Sequence, residues 1–409
     1  MITVLLDKAE FEYDIHSLVK AFYPKEEVYV STKDKEKKEE PVHYHMDVQF
    51  APEEIIFSWK KVEPSEENEN QTGITKRVAV DDTNRKETKN SLKRTLYQLL
   101  SEYTGVELPW GNLTGIRPTK IPMALLEEGK SEEEIARYMK ETYFTSDEKI
   151  KLSIEIAERE LELLHKLDYE EGYSLYIGIP FCPTTCLYCS FTSYSLAAWK
   201  NRMDEYLDAL EKELDYTAVK FAHKKLNSIY IGGGTPTTLN PQQLDRLIRK
   251  IKCSFDLSDL VEFTVEAGRP DSITREKLMV LRNHGISRIS INPQTMKQET
   301  LDLIGRHHTV QQTIDSFNLA RELGFDNINM DLIVGLPGDS LSDVADTMEI
   351  IRKLAPDNLT VHSLAIKRAA RLNIQRERYQ DFEIVNTADH IALTAKVAEE
   401  MGLFPYYLY

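Results

Sequence analysis

Three cysteines in one short segment are the residues of this chain best suited to chemistry. Cys182, Cys186 and Cys189 stand within eight residues, in Cys-Pro-Thr-Thr-Cys-Leu-Tyr-Cys, whereas the fourth cysteine, Cys253, stands alone. Cysteine thiolates hold iron–sulfur cubes, usually four at a time, so a loop that offers three predicts a [4Fe–4S] cluster with one iron open to a small molecule. The alternatives are a structural zinc site completed by Cys253, and thiols that only lie close together.

Composition limits the kinds of protein that could carry this loop. The chain has 409 residues, of which 41% are hydrophobic and 29% charged, as expected for a soluble globular protein with room for two domains. No stretch approaches the roughly 20 apolar residues of a membrane span, and the amino terminus does not read as a signal peptide. Clustered thiols favour a reducing compartment, so we expect a cytoplasmic protein. The net charge of -16 argues against a nucleic-acid partner.

The first part of the chain, residues 1–145, predicts a small mixed α+β domain. Strands are expected at 2–6, 28–31, 46–50 and 55–59, a helix near 15–22, and loops at 35–40 and 63–75. Leucines at helical spacing predict a Lys-rich helix at 86–103, whose lysines could bind nucleic acid but more simply form a solvated face. The turn-rich segment 108–120 predicts a structured connector, and residues 146–172 a linking helix centred on 147–167.

The second part, residues 173–409, alternates short apolar strands with helices, which is the pattern of parallel βα units. Six units are fewer than the eight of a closed TIM barrel, so the predicted fold is α/β, a partial (β/α)6 TIM-like barrel. Active sites of such barrels lie at the carboxyl ends of the strands, where the candidate residues of this chain also fall. The predicted strands are 175–180, 228–232, 263–267, 288–292, 328–334 and 359–364, and the helices 198–222, 241–251, 274–283, 310–323, 341–354 and 388–401.

A glycine run at the end of the second predicted strand gives the cysteine loop its context. Residues 232–235 read Gly-Gly-Gly-Thr, and glycines let backbone amides approach a ligand closely. Placed one βα unit after the three cysteines, this run resembles the radical S-adenosylmethionine (SAM) superfamily. Within it the chain resembles the coproporphyrinogen dehydrogenase group of HemN, HemW and HemZ types over residues 173–409. Two segments, Ser-Ile-Asn-Pro-Gln-Thr at 290–295 and Leu-Thr-Gly-Ile-Arg-Pro-Thr-Lys at 113–120, are most similar to the HemZ type.

The resemblance implies cofactors and ligands for them. In the family, the amino and carboxylate groups of SAM chelate the open iron, and one electron then yields a 5′-deoxyadenosyl radical. The resemblance implies one or two SAM molecules and no particular catalytic residue. It places Cys182, Cys186 and Cys189 on the cluster, Tyr176 and Tyr188 beside it, Gly233, Gly234 and Thr235 on the cofactor methionine, Glu266 on the nucleoside, and Gln294, Arg306, Asp331 and Ala365 around a second SAM.

Some of these residues have plainer interpretations. Arg306 and Asp331 could form a structural ion pair instead. We expect His307 and His308, which follow a loop glycine, to be hydrogen-bonded surface residues.

The resemblance also implies a substrate class. The HemN-type reaction converts propionate side chains of coproporphyrinogen III to vinyl groups, with a reduced flavodoxin- or ferredoxin-type electron donor. Lys367, Arg368 and Arg371 follow the sixth strand and are candidates to bind the substrate carboxylates, or else form a solvated loop.

Two departures leave the activity open between hypotheses. Phe191 stands where the well-defined oxidases carry a further cysteine, and a haem-binding chaperone that keeps the cluster is therefore the alternative. The His-Asn-Leu element of those chaperones is missing from this chain, however. A radical enzyme acting on RNA is a third hypothesis. We also expect the family's carboxyl-terminal domain to be absent, because the chain stops at Tyr409.

Overall fold

The computed structural model describes residues 1–32, 41–62, 73–80, 83–379, 382, 384 and 386–408. Contacts between residues divide the chain into two compact units. The first comprises Met1–Leu163 with Pro405–Tyr409, and the second comprises Leu164–Phe404. No helix in the described part of the chain is both long enough and apolar enough to cross a membrane.

The first unit is built on a five-stranded mixed sheet. Its strands are β1 (Ile2–Leu6), β2 (Val28–Thr32), β3 (Tyr44–Phe50), β4 (Glu54–Lys61) and β5 (Ile74–Ala79), in the order β2-β1-β3-β4-β5. β1 pairs in parallel with β2 and β3, and the remaining pairs are antiparallel. Alternate apolar residues of the sheet pack against the first two helices in one core. The helices are α1 (Glu12–Phe22), α2 (Arg85–Thr104), α3 (Lys120–Glu127), α4 (Glu132–Tyr143) and α5 (Asp147–His165), the last of which continues into the second unit.

Sequence periodicity predicted most of this unit but not its last strand. The loop was expected to extend to residue 75, but β5 already begins at Ile74. Ile74 and Thr75 pair with the neighbouring strand β4. Residues 35–40 and 63–72 lie outside the described part of the chain. α3 and α4 were not predicted either, although Ser131 and Glu134 form a capping box at the start of α4, a signal readable in sequence.

The second unit contains a six-stranded, entirely parallel sheet. Neighbouring strands of this sheet follow one another along the chain, as in the predicted partial barrel, which the structure confirms. The strands are β6 (Gly172–Ile179), β9 (Lys225–Gly233), β10 (Glu262–Gly268), β11 (Arg288–Ile291), β12 (Ile328–Val334) and β13 (Asn358–Ser363), with the short pair β7 (Phe181–Cys182) and β8 (Tyr194–Ser195) beside them. The helices are α6 (Leu196–Trp199), α7 (Met203–Lys220), α8 (Pro241–Ser254), α9 (Arg275–Asn283), α10 (Gln298–Leu303), α11 (Val310–Glu322), α12 (Leu341–Leu354), α13 (Arg371–Ile374) and α14 (Ala388–Glu400).

The helix predicted at 198–222 is divided in the structure. α6 ends at Trp199, a 3-10 turn follows at Lys200–Arg202, and α7 then begins. The Trp199 ring contacts Phe181 and Tyr194, so the first turn is held to the β7–β8 pair. This contact crosses between segments and leaves no trace in helical periodicity.

The two faces of the parallel sheet differ in chemistry. On one face, every second residue of a strand packs beneath the helices in the main core. Examples are Ile177 in β6, Ile231 in β9 and Val265 in β10. The residues between them face the other way and are largely polar, unlike the branched aliphatic side chains that fill a closed TIM barrel. They are Ser174, Tyr176, Ser228, Tyr230, Thr264, Glu266, Ser290, Asn329, Asp331 and Thr360. An open barrel with this inner face is suited to polar ligands.

Candidate cofactor site at the carboxyl ends of the strands

The cysteine loop begins where β6 ends. β7 and β8 close it by pairing in parallel, and the Tyr194 amide donates to the Pro180 carbonyl at 2.8 Å. Phe181 anchors the base of the loop, since its side chain is buried and packs edge-on against Tyr206. Cys186 is buried, and Cys182 and Cys189 are partly buried. All three cysteines therefore lie on one closed loop at the mouth of the barrel.

Later parts of the chain fix the backbone of this loop. The Leu187 amide donates to the Ile304 carbonyl, after α10, and the Leu372 amide in α13 donates to the Leu187 carbonyl, both at 2.9 Å. The Arg371 guanidinium donates to the Thr185 carbonyl at 3.0 Å. Arg371, a candidate either for binding substrate carboxylates or for a solvated loop, thus contacts the cysteine loop.

A buried arginine makes the most extensive of these contacts. Arg269, directly after β10, donates through Nη1 to the carbonyl and hydroxyl oxygens of Thr184 at 3.1 and 2.9 Å. Its other nitrogens donate to both carboxylate oxygens of Asp271, at 3.0 and 2.7 Å. The Thr184 hydroxyl in turn donates to the Gly305 carbonyl at 2.8 Å. We call Arg269, Asp271 and Thr184 the loop clamp.

The glycine run lies directly against the first cysteine. A Cβ atom on Gly234 would stand 2.9 Å from Cys182 Sγ and 2.7 Å from the Phe181 carbonyl, so only glycine fits. The Thr235 hydroxyl donates to Cys182 Sγ at 3.6 Å. Gly233 has φ +109°, a conformation that side chains disfavour. The structure therefore brings together the cysteine loop and the Gly-Gly-Thr segment that the sequence paired with it.

Burial raises the pKa of the Cys182 thiol, and the Thr235 hydroxyl opposes this effect. Burial also raises the pKa of Cys189. A metal cluster favours thiolates over thiols, because its positive irons stabilise the ligand charge. The buried thiols are therefore chemically matched to a cluster rather than to nucleophilic catalysis.

The zinc alternative finds no support in the fold. Cys253 is exposed in the last turn of α8, and a helix after a parallel strand runs back toward the amino end of the sheet. It is thus separated from the cysteine loop, which follows a carboxyl end. Within the described residues, no three His, Cys, Asp or Glu side chains converge on a point where one metal ion could bind. A cube does not require the three thiols to converge on one point, because each cysteine ligates a different iron.

Glu266, near the carboxyl end of β10, faces the inner side of the sheet. Asn292 Nδ2 donates to its carboxylate at 3.3 Å, and a Cβ on Gly232 would stand 3.0 Å from it. Burial, followed by the charge of Asp331, raises the pKa of Glu266 to about 7, against the opposing effects of Arg306 and Tyr230. The Glu266 carboxyl group therefore keeps its proton to a higher pH than an exposed glutamate does.

The segment that follows β11 is hydrogen-bonded to β12. The Gln294 amide donates to the Asp331 carbonyl and the Ile333 amide to the Gln294 carbonyl, both at 2.9 Å. Gln294 has φ +71°, an unusual backbone conformation for a residue with a side chain. Arg306 is buried and donates to the Asn292 carbonyl. No ion pair joins Arg306 to Asp331 within the described chain; Asp331 accepts instead from Asn329 Nδ2 at 2.7 Å.

The remaining predicted residues lie at different depths. Tyr188 stands beside Cys186 and Arg306, and burial raises its pKa. Tyr176 is 62% exposed and stacks on Tyr230, with ring centroids 5.8 Å apart. It lies on the open inner face of β6, three residues before the strand ends. Ala365 is exposed just after β13.

Sequence reasoning missed or misplaced two site neighbours. Arg269 was not singled out, because its partner Thr184 is 85 positions away. His308 was expected at the surface, but its side chain is fully buried and neither ring nitrogen has a hydrogen-bond partner in the described structure. Burial and the positive charge of Arg306 lower the pKa of His308 to about 4. His307, by contrast, is exposed.

These observations fit an iron–sulfur cluster and a polar cofactor. Three thiols on one fixed loop match a cube with an open iron. Three buried polar atoms at the strand ends have no partner in the described chain: Asn292 Oδ1, Gln294 Oε1 and Arg306 Nε. Such atoms are costly unless a ligand or water satisfies them. SAM carries the amino, carboxylate, hydroxyl and purine groups that could do so.

Comparisons with known proteins identify the family. A sequence profile of the Radical SAM superfamily matches residues 176–351. The oxygen-independent coproporphyrinogen-III oxidase-like protein HemZ of Bacillus subtilis is 42% identical over 79% of this chain and 66% of HemZ. The heme chaperone HemW of the same organism is 41% identical over 47% of this chain and 51% of HemW. The solved structure of the Escherichia coli coproporphyrinogen III oxidase HemN has a TM-score of 0.51 and 31% identity, covering 59% of this chain and 56% of HemN.

The chain therefore belongs to the radical SAM superfamily, whose cofactors are a [4Fe–4S] cluster and SAM. Its relatives include an oxidase-like protein, a chaperone and an oxidase, so proteins with different named activities share this domain. The chain spans 66% of the length of HemZ and about half of that of HemW.

The raised pKa of Glu266 predicts that glutamine at this position stabilises the unliganded protein at alkaline pH. The folded-state pKa of about 7 exceeds the ordinary value of 4.5. The folded chain therefore binds this proton more tightly, and stability falls as pH rises from about 4.5 to 7. Glu266→Gln should raise the free energy of unfolding by about 1–3 kcal/mol at pH 8 and by little at pH 5.

Thermal or urea unfolding of the cluster-free chain at both pH values measures this effect. Glu262→Gln, on the same strand, is the matched control and should not reproduce the pH-dependent gain. A Glu266→Gln variant that is less stable than the parent at pH 8 would contradict the prediction that the buried charge destabilises the folded chain.

Proposed function

We propose that this chain is the core of a radical SAM oxidoreductase that converts propionate side chains of coproporphyrinogen III to vinyl groups. The observation that carries the proposal is a basic pair at the barrel mouth. Lys367 and Arg368 are exposed in the segment after β13, and neither makes an ion pair within the described residues. A substrate with several carboxylates would supply the missing partners. Relatives of both oxidase and oxidase-like names support the same substrate class.

The proposed cofactor ligands follow from the site. Cys182, Cys186 and Cys189 would hold the cluster, and Gly234 with Thr235 would approach the cofactor methionine. Glu266 would accept hydrogen bonds from the nucleoside. The polar atoms of Gln294, Arg306 and Asp331 line the neighbouring strand ends and would orient a second SAM, with Ala365 at its margin. Tyr176 and Tyr188 would pack beside the cluster.

When bound, the cluster and SAM supply the one-electron chemistry that removes a hydrogen atom from the propionate chain, after which carbon dioxide and one electron leave. The residues of this chain bind and orient the substrate and the cofactors and shield them from water. Lys367 and Arg368 would hold carboxylates that do not react. The loop clamp would keep the cysteine loop fixed relative to the inner face of the sheet, so that substrate and cofactor meet in one geometry. We propose a reduced flavodoxin- or ferredoxin-type electron donor and a reducing, cytoplasmic environment.

An anaerobic assay tests this function. The chain is reconstituted with iron and sulfide, then incubated with SAM, a reductant and coproporphyrinogen III, and the porphyrinogens are analysed by mass. We expect successive losses of the mass of formic acid, that is carbon dioxide plus two hydrogens, from the substrate. An intact cluster that cleaves SAM but leaves coproporphyrinogen III unchanged would reject the proposal.

A second candidate function, haem binding and transfer, is favoured by one surface feature. Phe191, in the cysteine loop, is 78% exposed, and Tyr194 nearby is also exposed. Exposed aromatic rings suit the flat face of a macrocycle. The HemW relative is named a heme chaperone. Stoichiometric haem binding that Phe191→Ser weakens, with transfer to an acceptor and no turnover of coproporphyrinogen III, would favour this function.

The basic pair gives a further prediction for the oxidase. Replacing Lys367 and Arg368 together by methionine should raise KM for coproporphyrinogen III about tenfold or more, because each lost charge-assisted hydrogen bond contributes about 1.5–3 kcal/mol. SAM cleavage without substrate should stay unchanged. Lys212→Met, an exposed lysine on α7, is the charge control. Steady-state kinetics would contradict the assignment if KM were unaltered in the double variant.

A further inference from the structure

Lys93, on α2 of the first unit, is a buried lysine within a helix predicted to be solvated. Its side chain is only 6% exposed, whereas Lys86 on the same helix is exposed. Lysine is almost never this buried unless its ammonium group is paired. Within the described residues, Lys93 makes no ion pair, and its Nζ donates one hydrogen bond, to the Thr114 hydroxyl at 2.9 Å. An ammonium has three donors, so two remain to be satisfied.

The neighbouring acidic group is already engaged. Asp14, on α1, pairs with Lys89 at 2.8 Å. Burial lowers the pKa of Lys93 to about 8, and the charge of Asp14 opposes this shift. Lys93 therefore remains largely protonated at neutral pH.

The partner of Lys93 belongs to an exposed glycine turn. Gly115 has φ +69°, and Gly115 and Ile116 are exposed. Their amides make no backbone hydrogen bond in the described structure. The Thr114 hydroxyl accepts from Lys93 and keeps its own proton to donate. Backbone amides that follow one another around a residue in the left-handed region can form a concavity that binds anions.

The basic residue that follows this turn has other partners. Arg117 Nη2 donates to Glu160 at 3.0 Å, and its guanidinium lies 5.1 Å from the Tyr407 ring centroid. The groups left over are therefore one ammonium, one hydroxyl and the backbone amides of the exposed residues Gly115 and Ile116. All are donors. They suit a compact oxyanion with several acceptor oxygens, whereas a carboxylate is better matched by the planar fork of arginine.

We propose that Lys93, Thr114 and the Gly115–Ile116 turn form a binding site for a phosphate group carried by a small molecule. The segment 113–120, which the cofactor site does not use, thereby acquires a role in ligand binding. The site lies wholly within the first unit, and its function is independent of the activity proposed for the barrel.

Isothermal titration of the full chain with inorganic phosphate, at constant ionic strength in chloride, tests the site. We expect saturable binding to one site, weakened at least tenfold in Lys93→Met. Lys86→Met removes the same charge from the same helix and should change affinity less than twofold. Thr114→Val keeps the buried lysine and should weaken binding several-fold, so it carries the test if Lys93→Met does not fold.

Three results would overturn the proposal. The first is no saturable phosphate binding, or equal binding by the parent chain and the folded Lys93→Met or Thr114→Val variant. The second is Lys93-dependent binding of glutarate without binding of phosphate, which would assign the site to carboxylates. The third is Lys93-dependent binding of a single-stranded oligoribonucleotide that millimolar phosphate does not displace, which would assign it to RNA.

Discussion

Cys186→Ala is expected to yield a protein that folds but retains no [4Fe–4S] cluster after anaerobic reconstitution. Cys186 is the most buried of the three loop cysteines, and the chain offers no other thiol at this end of the sheet among its described residues. With only two thiolates, a second iron of the cube has no protein ligand, and such clusters decay. Iron and sulfide analysis, with the visible absorbance of the cluster, should show less than about a tenth of the parent content.

Cys253→Ala is the matched control for this loss. It removes a thiol that is exposed on α8. Its cluster content, colour and SAM cleavage should equal those of the parent chain. If Cys253→Ala lost metal to the same extent as Cys186→Ala, the fourth cysteine would be a ligand and the three-cysteine account would be wrong.

Arg269→Leu should have the second largest effect, on both stability and cluster retention. The substitution leaves the Asp271 carboxylate partly buried without its bidentate partner, and breaking a buried ion pair in this way costs about 3–5 kcal/mol. It also removes both hydrogen bonds to Thr184. We expect a lower free energy of unfolding and a cluster that is lost several times faster to a chelator under anaerobic conditions.

A second variant separates the two effects of Arg269. Arg269→Leu combined with Asp271→Asn removes the uncompensated carboxylate and should recover much of the stability, but the contact to Thr184 stays broken. The cluster should therefore still be lost rapidly. Arg275→Leu, which breaks the surface pair with Glu322, is the control and should cost less than about 1 kcal/mol. Normal cluster retention in the double variant would show that the loop clamp does not hold the cysteine loop.

Strand periodicity was sufficient to predict the barrel. Each strand buries one face beneath helices, so its apolar residues alternate with polar ones, and the strand predicted at 328–334 coincides with β12. The placement of candidate residues followed from the same pattern, because carboxyl ends of parallel strands meet at one edge. The close approach of Gly234 to Cys182 illustrates this placement, because it brings together two segments more than fifty positions apart.

Contacts that depend on tertiary packing could not be predicted in this way. The bond from Arg269 to Thr184, the left-handed backbone of Gln294 and the burial of His308 each depend on neighbours from other βα units. Lys93 shows the same limit in the first unit. Its helix was predicted correctly, but charge patterning alone assigned all its lysines to solvent, and only the fold places one of them against Thr114.

The electron paramagnetic resonance spectrum of the reduced cluster, recorded before and after adding SAM, tests the central claim most directly. The claim is that the three loop cysteines hold a cube whose open iron takes SAM beside Gly234 and Glu266. We predict about four irons and four sulfides per chain, a spectrum that changes on adding SAM, and reductive cleavage of SAM to methionine and 5′-deoxyadenosine. A reconstituted chain with tightly held zinc, or a cube whose spectrum and SAM cleavage do not respond, would contradict it.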